Sequence, residues 1–214
     1  MPLVLAILSC FFYVPNLLEL IQYCIIAMLI VGSLCIILMY VMHLTPEKPE
    51  SYSVFSQNFG NFIVNLERVL KENSYEYQKE IYLTENTQIF LFCRRKKRRE
   101  LYCFSVIRTP ELSRNIVELA DEKITDFFHS YYGTDRVSDT IVLFSVVCVD
   151  RINSSFRTFV DNCGDVGKKR YMFPAGISFG GKKLYVVHLS SFVPGKYIKL
   201  KKEFLELMAP LRER

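Results

Sequence analysis

The chain has 214 residues, with 27 Lys or Arg, 22 Asp or Glu, and half of all residues hydrophobic. That length holds one ordinary domain and an appendage and leaves no room for two large domains. The hydrophobic share is high for a wholly soluble protein, and it is concentrated at the front: residues 2–44 carry one acid, Glu19, and no Lys or Arg.

Residues 23–42, YCIIAMLIVGSLCIILMYVM, run for 20 residues without a charge. A helix of that length matches a hydrocarbon core of roughly 30 Å at about 1.5 Å per residue. Tyr23 and Tyr40 sit at its ends, where amphipathic rings suit the interface. A transmembrane helix is expected, because a buried core helix rarely runs so far without a polar face. Residues 3–14, LVLAILSCFFYV, are short for a span and lack the basic flank and cleavage site of a signal peptide. With Pro15-Asn16 as a turn, two arrangements are open. One is a helical hairpin of residues 2–18 and 22–43 with Asn16, Glu19 and Gln22 near the connection; the other is a single span preceded by an apolar helix at the interface. The hairpin is favoured, since so apolar a segment is costly to leave in water. Every Lys and Arg lies after residue 44, so the positive-inside rule places the remainder of the chain in the cytoplasm of a bacterial-type plasma membrane. Of seven cysteines, those at 93, 103, 148 and 163 fall in apolar strand or helix patterns and read as buried, reduced thiols, which agrees with that compartment.

Residues 45–53 read as a polar linker, dividing the chain into a membrane segment (1–44), the linker (45–53) and a cytosolic domain (54–214). In that domain Phe59, Phe62, Ile63, Leu66, Val69 and Leu70 fall on one helical face, with Ser53 or Ser56 as its cap. Residues 75–83 read as a strand. Residues 89–93 and 101–107 read as two strands covered on both faces, joined by a long charged loop of Arg94, Arg95, Lys96, Lys97, Arg98 and Arg99. Thr109 as cap and Pro110 at the first position open a helix that carries Leu112, Ile116, Leu119, Ala120, Phe127, Phe128 and Tyr131 and ends at Gly133. Residues 140–149 read as a central strand. A short helix comes next, with Phe156, Phe159 and Val160 inward. A hairpin then turns at Gly180-Gly181, and Pro174 marks an edge strand or bulge. The closing helix carries Ile198, Leu205 and Leu211. Together these describe an α/β domain: one mixed, mostly antiparallel sheet flanked by helices, with a crossover into the 140–149 strand.

The charge is uneven. Residues 94–99 contribute +6; residues 168–214 hold 11 basic and 3 acidic residues, +8; the rest of 45–214 holds 10 basic and 18 acidic, −8. Two basic segments on an acidic body point to a polyanion, either phospholipid headgroups or nucleic acid. The plainer alternative is a pair of solvated segments that keep the domain soluble. The binding candidates are residues 94–99 together with Lys168, Lys169 and Arg170. A nucleic-acid surface wants aromatics interleaved with the charges, and the flanking Phe90, Phe92, Tyr102 and Phe104 read as core. A membrane surface needs only a charged loop tethered near an anionic leaflet, where each basic residue contributes about 1 kcal/mol.

The order helix, three-stranded meander, helix, strand over about residues 55–149 resembles the core of the restriction-endonuclease-like, PD-(D/E)XK, superfamily. Degenerate members of that superfamily sit beside transmembrane helices in Gram-positive bacterial proteins. The family's chemistry needs an acid on the second strand and Glu-x-Lys on the third, holding a divalent metal beside the scissile phosphate. Here IFLFC carries no acid, and ELYCFSVIR has Glu100 at its edge without the x-Lys partner. The resemblance therefore implies a scaffold reused for binding or sensing.

Other chemistry is sparse. His43, His129 and His188 form no ligand pair, no nucleophile signature is present, and CGDVGKKRY lacks phosphate-loop spacing. Glu118, Asp121, Glu122 and Asp126 read as the solvated face of the second helix. No catalytic residue, metal or cofactor is expected. The reading is a membrane-anchored cytosolic binding, sensing or assembly module whose basic hairpin tip faces anionic phospholipid headgroups, with another membrane protein as a further partner. The alternative is a nucleic-acid-binding module or divergent nuclease tethered to the membrane.

Overall fold

The computed structural model describes residues 17–44, 49–56, 58–132, 140–161, 164–165, 170–189 and 195–213, with the side chains of the first helix described over 21–35. The chain divides into two compact units, Met1–Glu47 and Lys48–Arg214.

In the first unit the described part is one helix, α1 (Leu17–Leu44). Its 28 residues correspond to about 42 Å of axis at the usual helical rise. Glu19 and Gln22 lie inside this helix, so they form no part of the connection expected near residues 15–22; residues 1–16 lie outside the described residues. Tyr23, Ile25, Ile26, Met28, Leu29, Ile30, Val31 and Leu34 are all exposed. Consecutive positions point about 100° apart, so the apolar surface encircles the helix. The side chains described on α1 cover fewer residues than the ~20 of a span, and among the described residues no helix is long and apolar enough to cross a membrane.

The second unit is an α/β sheet domain. Its elements are β1 (Glu50–Ser53), α2 (Phe59–Glu72), β2 (Glu76–Thr84), β3 (Thr87–Lys97), β4 (Glu100–Arg108), α3 (Arg114–Tyr132), β5 (Thr140–Val149), α4 (Ser154–Asp161), β6 (Gly164–Asp165), β7 (Arg170–Ser178), β8 (Lys183–Val186) and α5 (Gly195–Met208), closed by a 3-10 turn, Ala209–Leu211. The strands lie in the order β1-β8-β7-β5-β4-β3-β2, with β6 paired to β7 off this path. The centre is parallel, β4 to β5 and β5 to β7, and both wings are antiparallel.

Side-chain alternation splits the core in two. Phe92, Phe104, Phe144 and Phe173 face α2 and α5. Ile89, Leu91, Cys103, Leu143 and Val147 face α3 and α4. Burial on both faces explains why these strands read as continuous apolar runs.

Several expectations are corrected by local hydrogen bonding. The cap of α2 is Asn58, whose side chain accepts from the Asn61 amide at 2.9 Å, in place of Ser53 or Ser56. The second helix starts at Arg114 and not at Pro110: the Thr109 amide donates to Cys148 O, and Pro110 O accepts from Asp150 and Arg151, which ties this stretch to the end of β5. Ser113 supplies the hydroxyl that accepts from the Ile116 amide. Gly133 lies outside the described residues. The last four residues of the expected linker are an edge strand, β1, paired with β8. Pro174 sits in an interior strand; it falls where the neighbour on one side changes from β6, which pairs Tyr171 and Met172, to β8, which pairs from Ala175. An imino acid with no N–H is tolerated at such a gap. Ile198 is 53% exposed, and the buried face of α5 is Tyr197, Leu200, Phe204, Leu207 and Met208.

Gly176 shows how closely α4 seats on β7. A Cβ there would overlap the Phe156 ring and lie 2.9 Å from Val160 Cγ2. Gly176→Ala will destabilise the domain by about 1–3 kcal/mol through overpacking; a urea melt checks this, and an unchanged midpoint would show that α4 sits further from the sheet.

Candidate anionic-surface site

The basic block is not a loop. β3 continues through Lys97, β4 starts at Glu100, and only Arg98 and Arg99 form the turn. Strand alternation then sorts the cations. Arg94 and Lys96 follow Phe90 and Phe92 onto the α5 side, and both meet Glu203 of α5.

Arg94 is held on four sides. Its Nη2 donates to Glu203 Oε1, and its Nη1 donates to Asn73 O at 3.1 Å. Its guanidinium lies 4.5 Å from the Tyr75 ring centroid and 5.3 Å from that of Tyr102. The carbonyl is placed by the turn after α2, where Ser74 takes φ 64°, in the left-handed region. Burial pushes the Tyr75 phenol well above its ordinary range and the Tyr102 phenol upward as well. Both rings therefore stay neutral and offer a π face to the cation. The Arg94 side chain is 18% exposed.

Lys96 Nζ donates to both Glu203 oxygens at 3.1 and 3.2 Å and lies 4.6 Å from the Tyr102 centroid. Burial pulls its ammonium down, but the Glu203 bond and charge outweigh this and hold it above its ordinary value. Arg95 Nη1 donates to Arg98 O at 3.0 Å, which staples the turn. Lys97 lies 3.8 Å from Glu100. Arg98 and Arg99 are exposed and make no ion pair among the described residues.

Of the candidates named in the second basic segment, Arg170 does not join this cluster. Arg170, 13% exposed, donates to Thr125 Oγ1 at 2.8 Å and to Asp121 Oδ1 at 3.0 Å, and it lies over Phe128, all on α3. Lys168 and Lys169 lie outside the described residues. The acids of α3 are largely paired: Glu118 with Arg114 at 2.8 Å, and Glu122 and Asp126 with Lys123.

The lysines of α5 belong to the basic 168–214 segment but are not among the named candidates. Lys196, Lys199, Lys201 and Lys202 lie on this helix with no acid in its first turn, where the dipole disfavours the Lys196 cation. Lys199 and Lys202 line a cleft of about 460 Å³ with Arg94, Lys96, Glu203 and Asn73. Lys201 donates to Glu50 of β1 at 2.5 Å. Burial alone would raise the Glu50 carboxyl, but the bonds from Lys201 and Tyr52 outweigh it and hold the group below its ordinary 4.5. A carboxylate depressed on folding adds stability above its unfolded value, and that stability is lost as pH falls through the folded value. The urea midpoint will therefore drop on acidification below 4.5, more steeply in the native chain than in Glu50→Gln. Parallel curves would show that the Glu50–Lys201 pair adds nothing.

Cys93 and Cys103 are register partners in β3 and β4, with their sulfurs 2.9 Å apart. They and Cys148 are buried and free, and burial raises the Cys103 and Cys148 thiols. Cys163 lies outside the described residues. His188 Nδ1 lies 3.4 Å from Glu50, and among the described residues no three His, Cys, Asp or Glu side chains converge to hold a metal ion. The chemistry this arrangement offers is multivalent attraction for anions. No family model, no curated protein and no solved structure matches the chain.

Proposed function

We propose that this chain is a membrane-anchored binding or assembly module, with α1 as the anchor and the tip of the β3–β4 hairpin as a contact for anionic phospholipid headgroups. The observation that carries the reading is α1: a continuous 28-residue helix whose described side chains are mostly apolar, with large hydrophobics exposed around the whole circumference. The sequence extends that character without Lys, Arg, Asp or Glu to Leu44. Hydrocarbon is the solvent that suits such a surface. The domain after α1 carries every Lys and Arg of the chain, so the positive-inside rule orients it toward the cytoplasm. The connection through residues 45–49 keeps the hairpin at a high local concentration of lipid.

Nucleic acid is the less favoured partner. Phe90, Phe92 and Phe104 pack in or against the core, and Tyr102, 8% exposed, lies beneath Arg94 and Lys96. The tip offers no aromatic platform for bases.

Alkaline carbonate treatment of membranes containing the full chain tests the anchor, and retention in the pellet is expected; release to the supernatant would sink it. For the hairpin, the unit from Lys48 onward will co-sediment with phosphatidylserine-containing vesicles, less with phosphatidylcholine alone, and less as salt rises. Equal binding to both lipids would remove the headgroup role.

A further inference from the structure

On the α3 side of the sheet, β4 and β5 set two small hydroxyl side chains next to each other. Ser105 and Ser145 are register partners, both buried, and Ser105 Oγ donates to Ser145 Oγ at 3.1 Å. The pairs on either side of them along this face are larger, Cys103 with Leu143 and Ile107 with Val147. Ser145 opens onto a hollow. It is a half-enclosed cavity of about 260 Å³ with Ser145 at its floor, Ile107 and Leu143 on the sheet, Val117 and Ile124 from α3, and Phe159 from α4.

Two features of this hollow call for an occupant. Protein interiors keep few voids larger than a water molecule, and a valine in place of Ser145 would be an easy filler. Two hydroxyls that share one hydrogen bond also have a second proton to place, and a buried donor left unmet costs about 1–3 kcal/mol. The proton left on Ser145 is available to the cavity that this side chain lines.

We propose that the hollow binds a small neutral molecule with an apolar body and one hydrogen-bond acceptor, of the ketone or ester class, whose carbonyl accepts from Ser145. An apolar cavity of about 150 Å³ is enough for benzene, so this one takes a single ring or a short chain. The walls select against charge. Ile107, Val117, Ile124, Leu143 and Phe159 are apolar, and the rim acids Glu118 and Asp121 are already paired with Arg114 and Arg170. A carboxylate or phosphate would lose hydration among these walls, whereas a neutral molecule meets no such cost. The hollow lies on the opposite sheet face from Arg94 and Glu203, and its failure would leave the membrane reading intact.

The test uses the full chain in lipid nanodiscs with methyl-labelled isoleucines. Cyclohexanone is the probe; cyclohexane and cyclohexanecarboxylate are the comparisons. Cyclohexanone will shift the Ile107 and Ile124 methyl resonances saturably, and the carboxylate will not. Ser145→Ala will weaken cyclohexanone by about fivefold to tenfold, as expected for one lost hydrogen bond, and leave cyclohexane unchanged. Val117→Phe, which fills the hollow from its half-buried wall, will abolish both with the other methyl resonances in place. The proposal is overturned if shifts are confined to the isoleucines of α1, if Ile107 and Ile124 fail to saturate, or if Ser145→Ala binds cyclohexanone as well as the native chain does.

Discussion

Replacing Phe204 by alanine will destabilise the sheet domain by about 3–5 kcal/mol, the range for a fully buried aromatic. Phe204 is completely buried on α5. It sits over a row of three phenylalanines in register across the parallel centre: Phe104 on β4, Phe144 on β5 and Phe173 on β7. Its ring centroid lies 6.0 Å from Phe104, stacked at 14°, 5.8 Å from Phe144 and 5.4 Å from Phe173. Such aromatic pairs add about 0.5–1.5 kcal/mol each beyond area burial, so truncation removes several pair contacts at once and leaves a void that the rigid strands close poorly. The loss will appear in a urea melt as a lower midpoint at unchanged slope, with Phe204→Leu intermediate. A loss below about 1 kcal/mol, the range of surface changes, would mean that α5 is not seated on this row.

How much of this was legible in the sequence depends on the range of the forces involved. Elements whose own periodicity carries the signal were readable: the 140–149 strand has the bounds of β5, and Phe156, Phe159 and Val160 are the buried face of α4. Elements made by distant partners were not. β1 reads ESYS, four residues with no apolar run; it is a strand because β8 pairs with it and Lys201 holds Glu50. The Thr109-Pro110 helix start is a sound local signal, overridden by bonds to the end of β5. The charged block looked like a loop because six cations in a row argue against a strand. The strand persists because alternation sends Arg94 and Lys96 to one side, where Glu203, 109 residues from Arg94, pairs with both and offsets half of their charge. Nothing in the local sequence couples those positions. A lysine-rich half-helix whose next residue after Lys202 is an acid was the available sign that α5 belonged to the site.

The same sorting predicts that residues 94–99 will not behave alike. Arg98 and Arg99 sit exposed at the turn without ion pairs among the described residues, so Arg98→Ser with Arg99→Ser removes two cations from the proposed lipid contact at little structural cost. At about 1 kcal/mol per basic residue near an anionic leaflet, the loss is about 2 kcal/mol, or roughly thirtyfold in vesicle affinity, with the thermal midpoint nearly unchanged. Arg94 will show the reverse. Its guanidinium is spent on Glu203, Asn73 O and the faces of Tyr75 and Tyr102, so Arg94→Ala will cost about 2–3 kcal/mol of stability through the lost ion pair and cation–π contacts. Its effect on vesicle binding will fall below the roughly fivefold expected for one exposed charge. Glu203→Gln completes the argument: it keeps the side-chain shape, releases Arg94 and Lys96 from their counter-charge, and will tighten vesicle binding by roughly fivefold for one unit of net charge while lowering stability. Vesicle titrations and melts on the three variants separate binding cations from structural ones. If Arg94→Ala loses as much affinity per charge removed as the Arg98/Arg99 pair, roughly fivefold, with its stability unchanged, the alternation does not govern the block, and its six charges act as one undivided patch.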